Sequence, residues 1–406
     1  MKRSEVPEFG LLSDIKCVNA ALSTAGPWAG ALMAEWGADV IWLESPRGID
    51  VLRGKGGMAA ESERRNMRTL CMNIPKCKDV FLKLISDADI FIEASRGGTY
   101  EKWGLSDEVM WEVNPKLVIV HISGFGQTGL PEYVTKASYD PIAQAFGGMM
   151  QLNGMPDDPP MPSMMSVADY YTGYMALSAA LAAVLKARRT GKGESLDIAQ
   201  YEACFRSQTQ RPMDWFVDRK PFVKEGHRNY MTAGWGAYQC KDGEYVYMLF
   251  LGTGVMKGGL PLLGLEYGSE EFPESKHFAL IGTEGGRLLD EAIENFCSQR
   301  TSEEAEKAFQ DAGVPCSRIM TYQAIEEHPQ YAARDSIIEW DAVDGRRLKG
   351  PGIFPKMKNT ENQIWRGCPT TGMDNEDILQ EIGLSLDEIE GLYEQGLLLN
   401  DRKAGV

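Results

Sequence analysis

The sequence predicts an α/β fold: a large domain built on a Rossmann-like parallel sheet, plus a small α+β domain. Short apolar and β-branched runs alternate with helical stretches through the first half of the chain, which is typical of βαβ units. After a stretch with Pro, Trp and Phe at 211–228, the pattern changes to a hairpin and further helices. A chain of 406 residues has room for about two or three domains.

Strand and helix patterns alternate in the first half of the chain. Strands are predicted at 15–19, 38–43, 69–74, 90–94, 117–122 and 195–199. Helices are predicted at 28–36, 77–86, 107–113 and 168–189. The last helix is rich in Ala and Leu and ends at a Gly-rich stop. Because parallel sheets bind ligands beyond the carboxyl ends of their strands, we expect the site in the loops that follow them.

The second half is predicted to leave the large domain and then return to it. An alternating segment at 237–250 surrounds an Asp-Gly turn and predicts a β-hairpin. Helical patterns follow at 286–298, 302–312 and 376–394. The predicted boundaries are a large domain at 1–210, a linker at 211–228, a small domain at 229–325, and a linker with a C-terminal part completing the large domain at 326–406.

Composition excludes several classes of function. The chain carries 42 Lys and Arg against 58 Asp and Glu, a net charge of −16, so we expect no nucleic-acid partner. The longest apolar run, 174–185, is shorter than the about 20 residues of a membrane span, and the N-terminal charges precede no apolar signal segment. Eight scattered cysteines without a CxxC pair, and four His without metal-ligand spacing, predict a cytoplasmic protein with no metal site.

The common nucleotide-binding motifs are missing from the sequence. The turn after the first predicted strand reads Ser-Thr-Ala-Gly-Pro-Trp-Ala-Gly at 23–30, without the GxGxxG spacing, and the chain has no GxxxxGK[ST]. A nicotinamide dehydrogenase or a P-loop enzyme would therefore need some other phosphate-binding device. We expect no tightly bound cofactor.

Three segments could carry chemistry, and each has two interpretations. Asp169, at the start of the long helix, is either a carboxylate that caps free N–H groups or a covalent nucleophile. The turn 123–129 is either a flexible loop or a set of N–H donors for an oxyanion. Arg96, with Lys102 just beyond it, belongs either to a solvated loop or to a phosphate site at the ligand-facing edge of the sheet.

Taken together, these segments resemble the class III CoA-transferases, the CaiB/BaiF family of formyl-CoA transferase and L-carnitine CoA-transferase. The resemblance covers nearly the whole chain. It rests on AGPWAG at 25–30, EWGADVI at 35–41, ADIFIE at 88–93, ISGFG at 122–126, Tyr139-Asp140 and RTGKGE at 189–194. Trp42, the segment 91–95 and QIWRG at 363–367 are similar to the carnitine branch of the family.

The resemblance implies roles for individual residues. Asp169 matches the family's catalytic aspartate, which attacks an acyl-CoA thioester to give an acyl-aspartyl anhydride and then an aspartyl-CoA thioester. CoA and acyl-CoA are thus substrates. The matching CoA contacts are Arg96, Lys102, Ser23 and Thr24, and the matching active-site lining residues are Tyr139, Gly124 and Gly126. Trp103 stands where relatives can carry a second basic residue, and Gly252–Gly254 is the nearest candidate for the family's glycine-rich lid.

The resemblance also implies an assembly and a substrate. The expected assembly is a ring-like monomer interlocked with a second copy in a homodimer. The expected reaction moves CoA from crotonobetainyl-CoA or γ-butyrobetainyl-CoA to carnitine, a small carboxylic acid whose trimethylammonium group suits aromatic faces. Candidate aromatics are Tyr170, Tyr171, Trp215, Phe216, Tyr230 and Trp235. The alternative is that these rings belong to the core or to the dimer interface.

Two rival functions remain at this point. An isomerase similar to the α-methylacyl-CoA racemases would need a His in the loop after the SGFG turn, but residues 127–140 contain none. His121 lies inside a predicted strand and is expected to be a core residue. The second rival is a non-catalytic acyl-CoA-binding paralogue, against which the presence of Asp169 speaks.

Overall fold

The computed structural model describes residues 1–53 and 58–401. These residues form two compact units. The first comprises 1–149, 162–209 and the chain from 332 onward, and the second comprises 150–161 and 210–331.

A parallel sheet of six strands forms the centre of the first unit. Its strands are β1 (Lys16–Asn19), β2 (Asp39–Glu44), β3 (Arg68–Cys71), β4 (Ile90–Glu93), β5 (Val118–Ser123) and β6 (Glu194–Ala199). They lie in the order β3-β2-β1-β4-β5-β6, and every neighbouring pair is parallel. The predicted α/β class and Rossmann-like parallel sheet are therefore confirmed. The order reverses between β1 and β4, where sheets of this kind open a ligand-binding crevice.

Helices connect the strands of the first unit, and further helices belong to the second unit. They are α1 (Ala25–Glu35), α2 (Met58–Glu63), α3 (Lys78–Ile85), α4 (Thr99–Lys102), α5 (Asp107–Val113), α6 (Pro131–Val134), α7 (Asp140–Phe146), α8 (Val167–Thr190), α9 (Gln200–Arg206), α10 (Arg211–Asp218), α11 (Thr253–Leu262), α12 (Glu284–Ser298), α13 (Ser302–Asp311), α14 (Tyr322–Glu327), α15 (Pro329–Ala333), α16 (Asn375–Glu381) and α17 (Leu386–Glu394). The predicted final helical region at 376–394 is thus two helices. None of the helices among the described residues is long and apolar enough to cross a membrane.

Side chains from alternate strand positions fill two separate cores, one on each face of the sheet. Cys17 and Val40 belong to a core shared with α1 and α8. Val18 and Ile41, their neighbours in sequence, belong to a core shared with α3, α16 and α17. Because both faces are covered, β2, β3, β4 and β5 are buried at every residue, and such strands appear in the sequence as nearly continuous apolar runs.

Close packing of α8 against α1 fixes the start of α8. A Cβ atom at Gly173 would lie 2.8 Å from the backbone oxygen of Ala25 and 2.9 Å from Cδ1 of Trp28. No larger residue fits there without movement of backbone, so Gly173 allows the two helices to approach. The first turn of α8, which carries Asp169, is thereby held against the loop that follows β1.

The second unit has its own sheet and core. Strands β7 (Trp235–Gln239), β8 (Tyr245–Leu249) and β9 (Cys316–Arg318) form an antiparallel sheet in that order. The predicted hairpin at 237–250 is confirmed, with Gly243 in its turn at φ +85°. The stretch 211–228, predicted as a linker, contains helix α10 and belongs to the second unit.

One hairpin of the first unit has no counterpart among the predicted elements. Strands β10 (Ile337–Asp341) and β11 (Arg347–Pro351) pair antiparallel there.

Candidate active site

A cavity of about 420 Å³ opens at the carboxyl ends of the sheet strands in the first unit. Its wall is supplied by loops that follow four strands: Ser23 and Thr24 after β1, Ser95 and Arg96 after β4, Ser123 and Gly124 after β5, and Gln200 after β6. Asp169 and Tyr139 also line it. The cavity therefore lies at the point where the strand order reverses, as the fold predicts.

Asp169 is the third residue of α8, and its side chain is 7% exposed. The carboxylate does not cap the helix. Asp140 does so instead, because its Oδ1 accepts a hydrogen bond from the backbone N–H of Ala168 at 3.1 Å. The Asp169 carboxylate is held from another direction, by the side-chain amide of Gln200, which donates to Oδ1. The capping interpretation is therefore wrong, and the carboxylate remains available to the cavity.

The surroundings of Asp169 make its carboxylate hard to ionise. Burial raises the pKa of Asp169 to about 7, the negative charges of Asp140 and Glu63 act in the same direction, and the hydrogen bond from Gln200 partly opposes them. At neutral pH the group is thus poised between acid and carboxylate. A poorly solvated carboxylate with this affinity for a proton is a stronger nucleophile than one in water.

The loop after β1 is fixed by a buried ion pair. Ser23 has a left-handed backbone with φ +65°. Its N–H donates to Asp50 Oδ2 at 3.0 Å, and its carbonyl oxygen accepts a hydrogen bond from Arg64. Arg64 also donates to Asp50 Oδ2 at 3.0 Å. The pair therefore holds both polar backbone groups of Ser23, which fixes this wall of the cavity.

Glycines shape the loop after β5. A Cβ atom at Gly124 would lie 2.0 Å from Cβ of Ser138, so only glycine lets these two cavity-lining segments meet. Gly126 has φ +91°, and its N–H donates to Ser123 Oγ at 2.8 Å. Gly126 is therefore committed to the turn itself and does not line the cavity.

Basic residues are distributed unevenly around the cavity. Arg96 lines it, and so does Lys136, which the sequence analysis missed. Lys136 Nζ lies 3.4 Å from the centroid of the Tyr133 ring. Lys102, the last residue of α4, is exposed and does not line this cavity.

A second cavity of about 370 Å³ shares Leu22 and Ser95 with the first. Trp103 lines it, and so do the basic residues Arg47 and Lys76. Both basic residues follow strands of the sheet, β2 and β3, and this position is the signal by which they could have been found from the sequence. The two cavities therefore share part of their lining, and cationic side chains line both of them.

His121 is fully engaged in a charged core contact. Its Nδ1 lies 2.8 Å from Glu93 Oε1, and its Nε2 lies 3.0 Å from Asp107 Oδ1. Burial by itself would lower the pKa of His121, but the hydrogen bonds to Asp107 and Glu93 outweigh it and raise the pKa to about 10. An imidazolium held between two carboxylates is no proton acceptor at neutral pH. This residue therefore gives no support to an isomerase that needs a histidine base.

Two other predicted features lie elsewhere. Gly252 and Thr253, of the proposed lid, stand at the start of α11 in the second unit, where Thr253 Oγ1 lies 2.6 Å from His277 Nδ1. Their role as a lid stays a prediction. Among the described residues, no group of three or more metal-ligating side chains is present.

The chain is similar to known proteins along nearly its whole length. Residues 12–375 match the sequence model of the family described as CoA-transferase family III. A relative from Clostridium scindens, named bile acid CoA-transferase BaiK, is 40% identical over 394 residues, which is 96% of this chain and 90% of the relative. The crystal structure of a CAIB/BAIF family protein from Brucella suis has a TM-score of 0.78 at 26% identity, over 92% of this chain and 100% of that one. Rv3272 from M. tuberculosis shares the fold, with a TM-score of 0.76 at 21% identity over 91% of this chain and 99% of that one.

Proposed function

The chain belongs to CoA-transferase family III, and on that premise we propose that it moves CoA from an acyl-CoA thioester to a carboxylic acid through covalent intermediates on Asp169. The observation that carries the proposal is the placement of this carboxylate. It is buried, it lines the cavity, and it takes no part in capping its own helix.

The reaction begins when the Asp169 carboxylate attacks the thioester carbon, which gives an acyl-aspartyl anhydride and CoA thiolate. The thiolate then attacks the aspartyl carbon, and the donor acid leaves. The incoming acid attacks the aspartyl carbon of the resulting thioester, which gives a new mixed anhydride and CoA thiolate. The thiolate then attacks the new acyl carbon and releases the Asp169 carboxylate. The chain's own contribution is a buried carboxylate, held by Gln200, in a cavity whose wall includes the glycine-shaped loop after β5. Each step exchanges one activated acyl group for another, so no ATP is needed.

CoA is proposed to lie along the wall shared by the two cavities. Arg96 and Lys136 suit its pyrophosphate, and Arg47 and Lys76 suit the nucleotide end beside Trp103. Ser23 and Thr24 would then border the pantetheine arm that reaches Asp169. Lys102 does not line the first cavity, and its contact with CoA stays a prediction.

For the acyl group we propose a carboxylic acid with a large apolar body, of the bile-acid type. Met164 and Met165 stand directly before α8 with exposed fractions of 68% and 87%. Flexible, polarisable methionines suit an apolar ring system. The name of the relative from Clostridium scindens, a bile acid CoA-transferase, supports the same class.

A betaine-type acid, with carnitine as acceptor, is the second candidate. The observation that favours it is the pair of carboxylates, Asp140 and Glu63, whose negative charges are felt at Asp169. Tyr170 adds an aromatic ring there, and its hydroxyl donates to Glu63 Oε1 at 2.8 Å. A trimethylammonium group would be attracted by both features.

A substrate panel tests the proposal and separates the two candidates. CoA exchange would be followed by mass spectrometry with a bile acyl-CoA and a free bile acid, and with γ-butyrobetainyl-CoA and carnitine. We expect transfer with the first pair, and no transfer in Asp169→Asn, which should still bind CoA. The double variant Met164→Gln with Met165→Gln should raise the KM for the bile acyl-CoA only. Met373→Gln, at an exposed methionine just before α16, is its control.

Two outcomes would revise the proposal in different ways. Transfer confined to the betaine pair would replace the acyl class and keep the transferase mechanism. Undiminished transfer by Asp169→Asn would overturn the mechanism itself.

A homodimer is part of the proposal, and so are its ring-like protomers and their interlocking. Helix α10 supports a partner surface, because none of its residues is buried. Its exposed apolar side chains are Met213, Trp215, Phe216 and Val217. Monomeric proteins rarely leave such a group exposed.

Light scattering should report a dimer, and the double variant Trp215→Glu with Val217→Glu should weaken the dimer. A monomeric wild type would contradict the proposal. The cytoplasmic location also stays a prediction.

A further inference from the structure

Gln200 is the only described residue that donates a hydrogen bond to the Asp169 carboxylate. It is the first residue of α9, directly after β6, and its side chain is buried at 7% exposure. Its amide nitrogen donates to Oδ1 of Asp169, and the same residue lines the cavity. No local sequence pattern marks it as a site residue.

This contact makes the two oxygens of Asp169 unequal. Oδ1 has a lone pair engaged by an amide donor, whereas Oδ2 accepts no hydrogen bond from any residue that the structure describes. The oxygen without a donor is the better nucleophile, because no hydrogen bond has to be broken before it attacks. After attack through Oδ2, Oδ1 is the carbonyl oxygen of the aspartyl group.

We propose that Gln200 is a catalytic residue that directs attack through Oδ2 and then stabilises the oxyanion formed on Oδ1. The inference rests on the proposed function, in which Asp169 is the nucleophile. It assigns one residue to the steps that occur at the aspartyl carbon.

Two steps of the cycle place negative charge on Oδ1. In the first, CoA thiolate adds to the aspartyl carbon of the anhydride, so that a carbon–sulfur bond forms and the electron pair of the carbonyl moves to Oδ1. When this electron pair reforms the carbonyl, the donor carboxylate is expelled. In the second, the acceptor carboxylate adds to the aspartyl thioester carbon: the charge again passes through Oδ1, and its return expels CoA thiolate. No proton, oxidant or reductant enters either step. The Gln200 amide already lies beside the oxygen that carries the charge in both.

The local charges explain why the donor is a neutral amide. Asp140 and Glu63 oppose a further negative charge at this position, so an oxyanion there needs a donor. A cationic donor would also stabilise the resting carboxylate, and it would lower the nucleophilicity of Asp169 along with its pKa. An amide strengthens its hydrogen bond as charge develops without pairing permanently with the anion.

Three variants test the inference, with kcat, KM and the pH profile of kcat/KM as readouts. In Gln200→Leu, kcat should fall by about 10²-fold, the usual effect of removing one oxyanion donor, while KM for acyl-CoA changes by less than about threefold. The acid limb of kcat/KM should also move to higher pH, because the Asp169 pKa loses the one contact that lowers it. Gln208→Leu is the control, since this second buried glutamine donates to the backbone oxygens of Gly147 and Cys204 instead. It should move neither kcat nor the acid limb.

Gln200→Glu should give the opposite pH dependence. Two carboxyl groups at this distance share one proton, and the shared proton can still serve as a donor. As pH rises, the shared proton is lost and both groups become carboxylates. No donor then remains beside Oδ1, so the activity of this variant should fall. A Gln200→Leu enzyme with wild-type kcat and an unmoved acid limb would overturn the inference, and so would a Gln200→Glu profile parallel to that of Gln200→Leu.

Chemical trapping separates this failure from failure of the proposed function. Wild-type enzyme with acyl-CoA and hydroxylamine should give a modified Asp169. If it does, and the Gln200 variants behave like wild type, only the role of Gln200 is wrong. If Asp169 is never modified although turnover proceeds, the proposed nucleophile is wrong and the role of Gln200 falls with it.

Discussion

Arg64 and Asp50 form an ion pair whose side chains are both wholly inaccessible to solvent, with Nη2 and Oδ2 3.0 Å apart. The pair holds the N–H and the carbonyl oxygen of Ser23, so a charged contact inside the protein fixes a wall of the candidate active site. Arg64 also packs over the ring of Trp42, 4.8 Å from its centroid. A flexible polar loop is thereby held by groups that themselves have no contact with water.

Loss of one partner of this pair should destabilise the first unit strongly. Asp50→Asn removes the nearer of the two carboxylates that pair with the buried Arg64 guanidinium, leaves only Glu63 Oε2 at 3.3 Å, and should lower the free energy of unfolding by about 3 kcal/mol. Urea unfolding followed by circular dichroism measures the change. Arg287→Gln, which removes exposed contacts to Glu284 and Glu291, is the control and should leave the midpoint nearly unchanged. Equal midpoints for the two variants would show that the buried pair does not fix the loop.

Charge removal at the cavity wall should affect binding more than chemistry. Arg96→Ala and Lys136→Ala should each raise KM for acyl-CoA by about tenfold and lower kcat by less, because we propose that these residues bind the phosphates and not the reacting atoms. Lys192→Ala, an exposed lysine away from the cavity wall, is the matched control. Steady-state kinetics with varied acyl-CoA measures the split. A fall in kcat at unchanged KM would mean that the two roles are misassigned.

His121 should stabilise the fold in a pH-dependent way. Its pKa is raised in the folded state to about 10 from the ordinary 6.5, so its contribution is fully present below pH 6.5 and is lost as pH rises toward 10. His121→Asn should therefore be less stable than wild type near pH 6.5, by about 3 kcal/mol, and the difference should shrink toward pH 10. Unfolding free energies at several pH values test this. A difference that stays constant with pH would mean that His121 is neutral in the folded protein.

Asp169 should lower the stability of the fold, because ionising a buried carboxyl group costs free energy. The pKa is raised in the folded protein to about 7 from the ordinary 3.8, so the fold is penalised increasingly as pH rises through that range. Asp169→Asn should unfold at the same urea concentration as wild type below about pH 4. Above pH 7 it should be more stable by about 3 kcal/mol. Glu270→Gln, at an exposed position of the second unit, should show no such trend. An Asn variant that is less stable at every pH would mean that the carboxylate stabilises the fold.

Much of the parallel sheet could be predicted from the sequence because its strands are buried on both faces. β2, β4 and β5 appear as largely apolar runs, and the predicted positions of β2 through β5 agree with the structure to within a few residues. The strand β11 could not be found this way. It reads Arg-Leu-Lys-Gly-Pro, and pairing with β10 makes it a strand. The apolar residues of α10 are all exposed, so they resembled a linker in composition.

The residues of the candidate site could also be predicted only in part. Asp169 and Arg96 could be singled out because each stands next to a recognisable helix or strand, whereas Ser23 was implied only by the resemblance to the family. Gln200 could not be identified, since its meaning depends on Asp169, which lies 31 residues away in the chain. Asp140 of α7 caps α8, and this contact between two helices could not be predicted from the sequence either. Long-range contacts of this kind are set by packing and leave no local pattern.

The most direct test of the account is to trap the covalent intermediate. Enzyme would be mixed with acyl-CoA, quenched with hydroxylamine and digested, and the peptide that carries Asp169 would be examined by mass spectrometry. The proposed mechanism predicts a hydroxamate on Asp169 that is absent without acyl-CoA and absent in Asp169→Asn. Turnover with an unmodified Asp169, or with the modification on another residue, would contradict it.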